Sequence, residues 1–396
     1  MISIDRSMTF AAVAEVDMRG AALSSSSLLE HRLRGALWCF FAGDALASPT
    51  HWFYGGEAQV RAVYGQKLTT YTKPEAKLPG SIMNKSDTDG GGRGRWYGAK
   101  KTIIGDVINH GKKKYWRPEE SYHYHATLAA GENTLEARLG RVLMTSIAAT
   151  EGTFDADDFR ERYVRFMTTP GSHEDAYAST CHRMFFANLT YKRLPPKDCP
   201  DNDRHNVDTI DGLVLPTIAA LAEAYVSSST RDSARRVAID TAKVTRNSRP
   251  LEQAAELWAD FLFDALHGDT LDASSSSSPK AAKAKLPPDP VVACYLESAL
   301  PAAVAMARKY ATADVWTALL ANANAGGENV HRGSILGAVL GGRAGIDNLP
   351  DHLRSGLHAA ADIERDIDDF VNALNTRKKK TTTPNPMTCP SLDIRI

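Results

Sequence analysis

Gly333, Gly337 and Gly341 recur every fourth residue within an otherwise apolar run bounded by Arg332 and Arg343. At 3.6 residues per turn, this spacing lines them along one face of a helix. Glycine inside a helix costs about 1 kcal/mol relative to alanine. Three in register therefore predict a helix pressed tightly against a neighbour, with its N-terminus carried into the interior. The run is too short to cross a bilayer.

Helical periodicity dominates elsewhere. Leu33, Leu37, Phe40, Phe41 and Asp44 form one stripe, and Leu135, Leu139, Val142, Leu143 and Ile147 form another. Later stripes run through Leu251, Ala255, Trp258, Phe261 and Leu262, and through Leu357, Ile363, Ile367, Phe370, Val371 and Leu374. Asp155, Asp157 and Asp158 suit the positive end of a helix dipole, and Asp314 suits an N-cap. No period-2 strand lies between turn signals. The expectation is an all-α chain with a single compact multi-helix domain over residues 28–375. Residues 1–27, the Ser-, Lys- and Pro-rich insertion 273–290, and the tail 376–396 have compositions that bury too little apolar surface to order. The long irregular stretch from Lys77 to His125 is rich in aromatics and predicts an ordered loop that covers something.

Lys plus Arg and Asp plus Glu balance at 47 each, so no global field recruits nucleic acid or an anionic membrane. The five cysteines are scattered and none forms a Cys-x-x-Cys pair, which argues against a disulfide framework or a thiolate zinc site. The stretch from Met1 to Ser27 carries charges throughout and lacks the apolar core of a secretory signal. The expectation is a soluble, cytoplasmic protein.

Two short sequences resemble each other across the chain: Ala130-Gly131-Glu132-Asn133-Thr134 and Gly326-Gly327-Glu328-Asn329-Val330. Each sets an acid and an amide before an apolar helix, where backbone N–H groups are unpaired. Oxygen side chains at such a place suit an anionic ligand or a hard cation, and they equally suit ordinary helix capping.

In these residues the chain resembles the ADP-ribosylglycohydrolases. That family has a Thr-Asp-Asp-Thr sequence opening one helix and a Gly-Gly-Asp-x-Asp-Thr sequence before a Gly/Ala-rich helix. Together these hold two magnesium ions beside the ribose. Here Gly131 to Thr134 and Gly326 to His331 stand at the two places. Arg34-Gly35-Ala36 and Gly43-Asp44-Ala45-Leu46 are similar to its opening helix, and Thr245 to Pro250 to its Thr-His-x-x-Pro. The likeness runs over roughly residues 31–374 and implies the family's helical fold, with ADP-ribosylated substrates or ADP-ribose-like small molecules as ligands.

By that resemblance Glu132, Glu328 and His331 are the candidate catalytic residues. Asp44, His51, Asn133, Gly326, Gly327 and Asn329 are the candidates for substrate binding, and Glu132, Asn133 and Glu328 for a metal. The departures are substantial, with Glu132 and Asn133 replacing two aspartates, and Glu328, Val330 and His331 altering the second set. Fewer carboxylates weaken the case for two magnesium ions. One divalent ion, magnesium or manganese with zinc also open, is the expectation. His51, His123, His125 and His331 are placed near the same pocket by the family geometry, as nitrogen ligands or as proton-transfer groups. The implied function is hydrolysis of an N- or O-glycosidic bond to ADP-ribose or a related nucleotide ribose. The alternative is a catalytically altered member with a ligand-binding role or a structural one, as in the jellyfish lens crystallins of the same superfamily.

Overall fold

The structure, a computed structural model, describes residues 25–86, 88–89, 102–117, 119–200, 207–227, 230–268 and 288–382. Among them the regular secondary structure is helical, with isolated β-bridges and no β-sheet. The helices are α1 (Ser25–Ala47), α2 (Gly56–Tyr64), the single turn α3 (Ile103–Asp106), α4 (Leu135–Ala149), α5 (Ala156–Thr168) and α6 (Thr180–Thr190). They continue with α7 (Val214–Val226), α8 (Arg231–Thr245), α9 (Arg249–His267), α10 (Leu296–Lys309) and α11 (Val315–Ala325). The set closes with α12 (Val330–Ala344), α13 (Asp351–Ser355) and α14 (Ala360–Thr382). The all-α expectation holds. No helix among the described residues is long and apolar enough to cross a membrane.

The expected caps form. Asp155 accepts from the backbone N–H groups of Asp157 and Asp158, and Asp314 accepts from that of Thr317. Helix α14 continues to Thr382, past the expected boundary at 375, because Arg377 reaches Glu223 of α7 and Lys380 pairs with Glu151. Residues 1–24, most of the insertion 273–290, and residues 383–396 lie outside the described residues. Ser25 to Ser27, assigned to the N-terminal arm by composition, already belong to α1.

Helices α1 and α12 lie antiparallel, with backbone against backbone. A Cβ on Gly43 would overlap the Gly333 carbonyl, one on Gly337 the Cys39 carbonyl, and one on Gly341 the Gly35 carbonyl. This is the close neighbour that the glycine stripe predicts. Around the pair pack α7, α9 and α11, with every residue of α7 buried, and α4 and α14 close one side.

The antiparallel pairing sets the end of α1 beside the start of α12. Backbone bonds then lock the two connecting segments: Trp52 N donates to Gly327 O at 2.8 Å, and Gly327 N donates to Phe53 O at 3.0 Å. Thr50 Oγ1 donates to Ala323 O at 2.6 Å and accepts from Asn329 Nδ2 at 2.8 Å.

A valine at position 337 is expected to force the two helices apart and destabilise the protein by about 1–3 kcal/mol or more. Urea unfolding of Gly337→Val checks this, and an unchanged midpoint would show that the seam carries no packing constraint.

Candidate active site

His51 follows the 3-10 turn Ser48–Thr50 that ends α1, and Glu328 and His331 stand at the start of α12. Their side chains meet in the interior. Glu328 Oε1 lies 2.5 Å from His331 Nδ1, and its Oε2 lies 3.2 Å from His51 Nε2 and 2.6 Å from the Trp52 indole nitrogen, which donates to it. On its far side His51 Nδ1 lies 2.7 Å from His125 Nε2, and His125 Nδ1 lies 2.9 Å from Asp175 Oδ1. Asp175 Oδ2 also accepts from Leu135 N, in the first turn of α4. Five titratable side chains, Asp175, His125, His51, Glu328 and His331, thus form one buried chain.

Charge is unevenly distributed along it. Burial opposes ionisation of Glu328, but His331 and His51 outweigh burial and hold its carboxyl well below the usual range. Burial also opposes protonation of His331, but Glu328, with Asp211 and Glu136 beyond it, raises this imidazole to about 9. For His51 burial prevails over the adjacent carboxylate and lowers it to about 4. The His331 contact is therefore an ion pair, whereas His51 meets Glu328 as a neutral ring.

Glu328 and His331 form part of the wall of a cavity of about 360 Å³. Trp52, Tyr54, Tyr124 and Tyr177 supply aromatic surface, Lys85 and Arg183 positive charge, and Asp211 a second carboxylate. Burial alone would raise Asp211, but the buried guanidinium of Arg246 beside it brings it down to about 2. The described part of the Lys77–His125 stretch contributes Ile82, Lys85, Ser86 and Tyr124 to this wall, as the expectation of a covering loop requires. Residues 87, 90–101 and 118 of that stretch lie outside the described residues.

Several residues expected to act together stand apart. Glu132 turns back on its own segment, where Oε2 accepts from Ala129 N at 2.9 Å, and it does not line the cavity. Asn133 donates through Nδ2 to Phe41 O and to Asp44 Oδ1, both at 2.8 Å. Asp44 also accepts from Thr134 N and Thr134 Oγ1, so it caps α4, and it is not among the residues lining the cavity. Of the expected metal set, Glu328 lines the cavity, whereas Glu132 and Asn133 are engaged at the start of α4. Gly326 and Gly327, expected to bind substrate, are buried with Phe53 O and Val292 O where side chains would be. Their positive φ angles of 68° and 65° build the turn into α12. Asn329, another expected substrate contact, donates to Thr50 and to Ala323 O, and its buried Oδ1 has no partner among the described residues.

A pair of magnesium ions does not fit these residues. Magnesium needs near-octahedral oxygen coordination. At this place one carboxylate, Glu328, stands between two imidazoles, and Val330 offers no donor. Among the described residues, the group of three or more His, Cys, Asp or Glu whose ligand atoms all lie within 4.8 Å is His51, Glu328 and His331.

Asp175 and Asp211 were missed by the sequence reading. No motif surrounds either, and Asp211 is identified only by the Arg246 that its backbone neighbours also hold. His123, placed near the pocket by resemblance, is buried and accepts from His125 N through Nδ1.

A family model described as ADP-ribosylglycohydrolase matches residues 25–380. No curated protein matches the chain. Among solved structures, a chain described as "ADP-ribosylglycohydrolase-related protein complex" superposes with a TM-score of 0.52 at 17% identity, covering 88% of this chain and 99% of that one. At that identity the likeness speaks for the fold.

Removing Arg246 leaves a buried carboxylate unpaired, so Arg246→Met is expected to cost about 3–5 kcal/mol at neutral pH. Asp211 titrates lower folded than unfolded, where it lies near about 3.9. Its stabilising contribution is present above about pH 4 and is lost as pH falls through about 2. The stability gap between wild type and Arg246→Met should narrow from pH 6 toward about pH 2.5 in urea titrations; a constant gap would remove the pair from the account.

Proposed function

The chain belongs to the ADP-ribosylglycohydrolase family, and from that premise we propose that it hydrolyses a glycosidic bond to ADP-ribose or a related nucleotide ribose in the cavity above Glu328. One observation carries the reading: a buried carboxylate held ionised, paired to an imidazole, in the wall of an aromatic cavity that also has positive charge.

Glycosidic cleavage passes through an oxocarbenium-like state, which gains from fixed negative charge beside the ribose. Glu328 and Asp211 supply that charge without reorganising, because His331 and Arg246 hold each of them in place. His331 engages Glu328 through Nδ1, so Nε2 remains the ring donor toward a ribose hydroxyl or the leaving group. Trp52, Tyr124 and Tyr177 offer stacking surface for a base, and Arg183 and Lys85 suit a pyrophosphate.

The departures of Glu132, Asn133 and Val330 from the family's carboxylate pattern favour a second reading, in which the cavity binds the nucleotide without turnover. Both readings predict ADP-ribose binding; turnover separates them.

Glu328→Gln is expected to remain folded by circular dichroism and to lower kcat by about 100-fold or more. Release of ADP-ribose from ADP-ribosylated peptides or nucleotides, followed by chromatography, provides the measurement. Wild-type rates in the variant would remove Glu328 from the chemistry, and binding without any release by the wild type would favour the second reading.

A further inference from the structure

We propose that His51 Nε2, the Glu328 carboxylate and His331 Nδ1 form a three-ligand site for a single zinc-class divalent cation, oriented from behind by His125 and Asp175. This stands on the geometry of the cluster, whether or not the cavity hydrolyses ADP-ribose.

The donor set is two imidazole nitrogens and one carboxylate, which suits zinc, cobalt or a similar borderline ion. All the ligand atoms lie within 4.8 Å of one another and all three residues are buried. Glu328 lies just before the N-cap of α12 and His331 in its first turn, and His51 is held to them by the backbone bonds between Trp52, Phe53 and Gly327. The cluster is therefore rigid, which favours a defined coordination geometry. Two of the three ligands line the cavity, so a fourth position opens toward it, the arrangement of a site that also takes water or substrate. Asp44, Asp211 and Glu136 act electrostatically on His331, so the surroundings are acidic.

The residues behind His51 form the outer shell that metal-bound histidines use. His51 passes from Glu328 to His125 and His125 to Asp175, and Asp175 is anchored by Leu135 N and Tyr177 N. The hydrogen-bond count accommodates a cation at this place. From Asp175 to Glu328 there are three contacts in line and two rings between them. Three contacts need three ring protons, so one imidazole of the pair must be a buried imidazolium. A cation on His51 Nε2 takes the place of the last proton. His51 then donates through Nδ1 to His125, His125 donates through Nδ1 to Asp175, and both rings are neutral with each nitrogen engaged.

The test uses the full chain stripped with a chelator and titrated with cobalt(II), read by its visible absorption. The expected result is an intense low-coordinate spectrum that saturates at one equivalent. Zinc should displace the cobalt, and millimolar magnesium should not. Ala at His51 or at His331 should abolish the spectrum, and Asp175→Asn should weaken affinity by about 10–100-fold. His358→Ala, which removes an exposed histidine outside the cluster, should leave the spectrum unchanged. If Asp175→Asn fails to fold, wild-type stoichiometry and His331→Ala decide the matter. No cobalt spectrum, displacement by magnesium as readily as by zinc, or wild-type affinity in the His51 and His331 variants would each overturn the proposal. ADP-ribose release is assayed on the same stripped and reloaded samples. Cobalt bound without release overturns the hydrolase reading alone, and release without any cobalt site overturns the metal proposal alone.

Discussion

The backbone contact between α1 and α12 is the constraint on which the rest depends. Helices whose side chains interdigitate settle 8–10 Å apart. Here glycines at 35 and 43 on one helix and 333, 337 and 341 on the other let carbonyls come where Cβ atoms would be. Because the contact is antiparallel, it joins the end of α1 to the start of α12. His51 and Glu328 are 277 residues apart in sequence and become hydrogen-bond neighbours through that contact. The glycines of the stripe carry no chemistry themselves, yet they decide which chemical groups meet.

A carboxylate at the buried start of a helix gains from the unpaired N–H groups there, but burial strongly opposes its charge. Glu328 resolves the conflict with three donors: an imidazolium, a neutral imidazole and an indole. Asp211 resolves the same conflict chiefly with the bidentate guanidinium of Arg246, joined by the Thr209 hydroxyl. Two acids in one cavity wall are thus ionised by different means. One partner, His331, is an imidazole that can give up its proton or take a cation in its place, and the other, Arg246, cannot.

At the start of α4 the altered residues take on structural work. An aspartate at position 133 would carry acceptors only. Asparagine brings a donor, which serves both Phe41 O and Asp44. With Asp44 accepting from Thr134 and Asp175 from Leu135, the first N–H groups of α4 are met by side chains of the protein itself. Glutamate at 132 is long enough to fold back onto Ala129 N. The polar groups of this helix start are met by the protein's own side chains, and the carboxylate and imidazole that line the cavity stand at the start of α12.

Local patterns determined what local physics can determine. Apolar spacing gave the helices, Asp155 and Asp314 marked caps that the structure forms, and the glycine stripe announced a helix in close contact. Glu328 and His331 were legible as candidates through the family resemblance of the residues around them. The matching Gly-Glu-Asn sequences at 131–133 and 327–329 end in different settings, one bonded within the start of α4 and the other at the cavity wall. Their likeness is local, whereas the direction each side chain takes is set by what packs around it. Asp175 and Asp211 had no local signature, since each acquires its role from a residue distant along the chain: His125 and the α4 backbone for one, Arg246 for the other. Sequence by itself determined the elements and the family. Tertiary packing decided which carboxylates cap helices and which face the cavity, because a buried charge takes whichever donors the close approach of distant helices brings within hydrogen-bond reach.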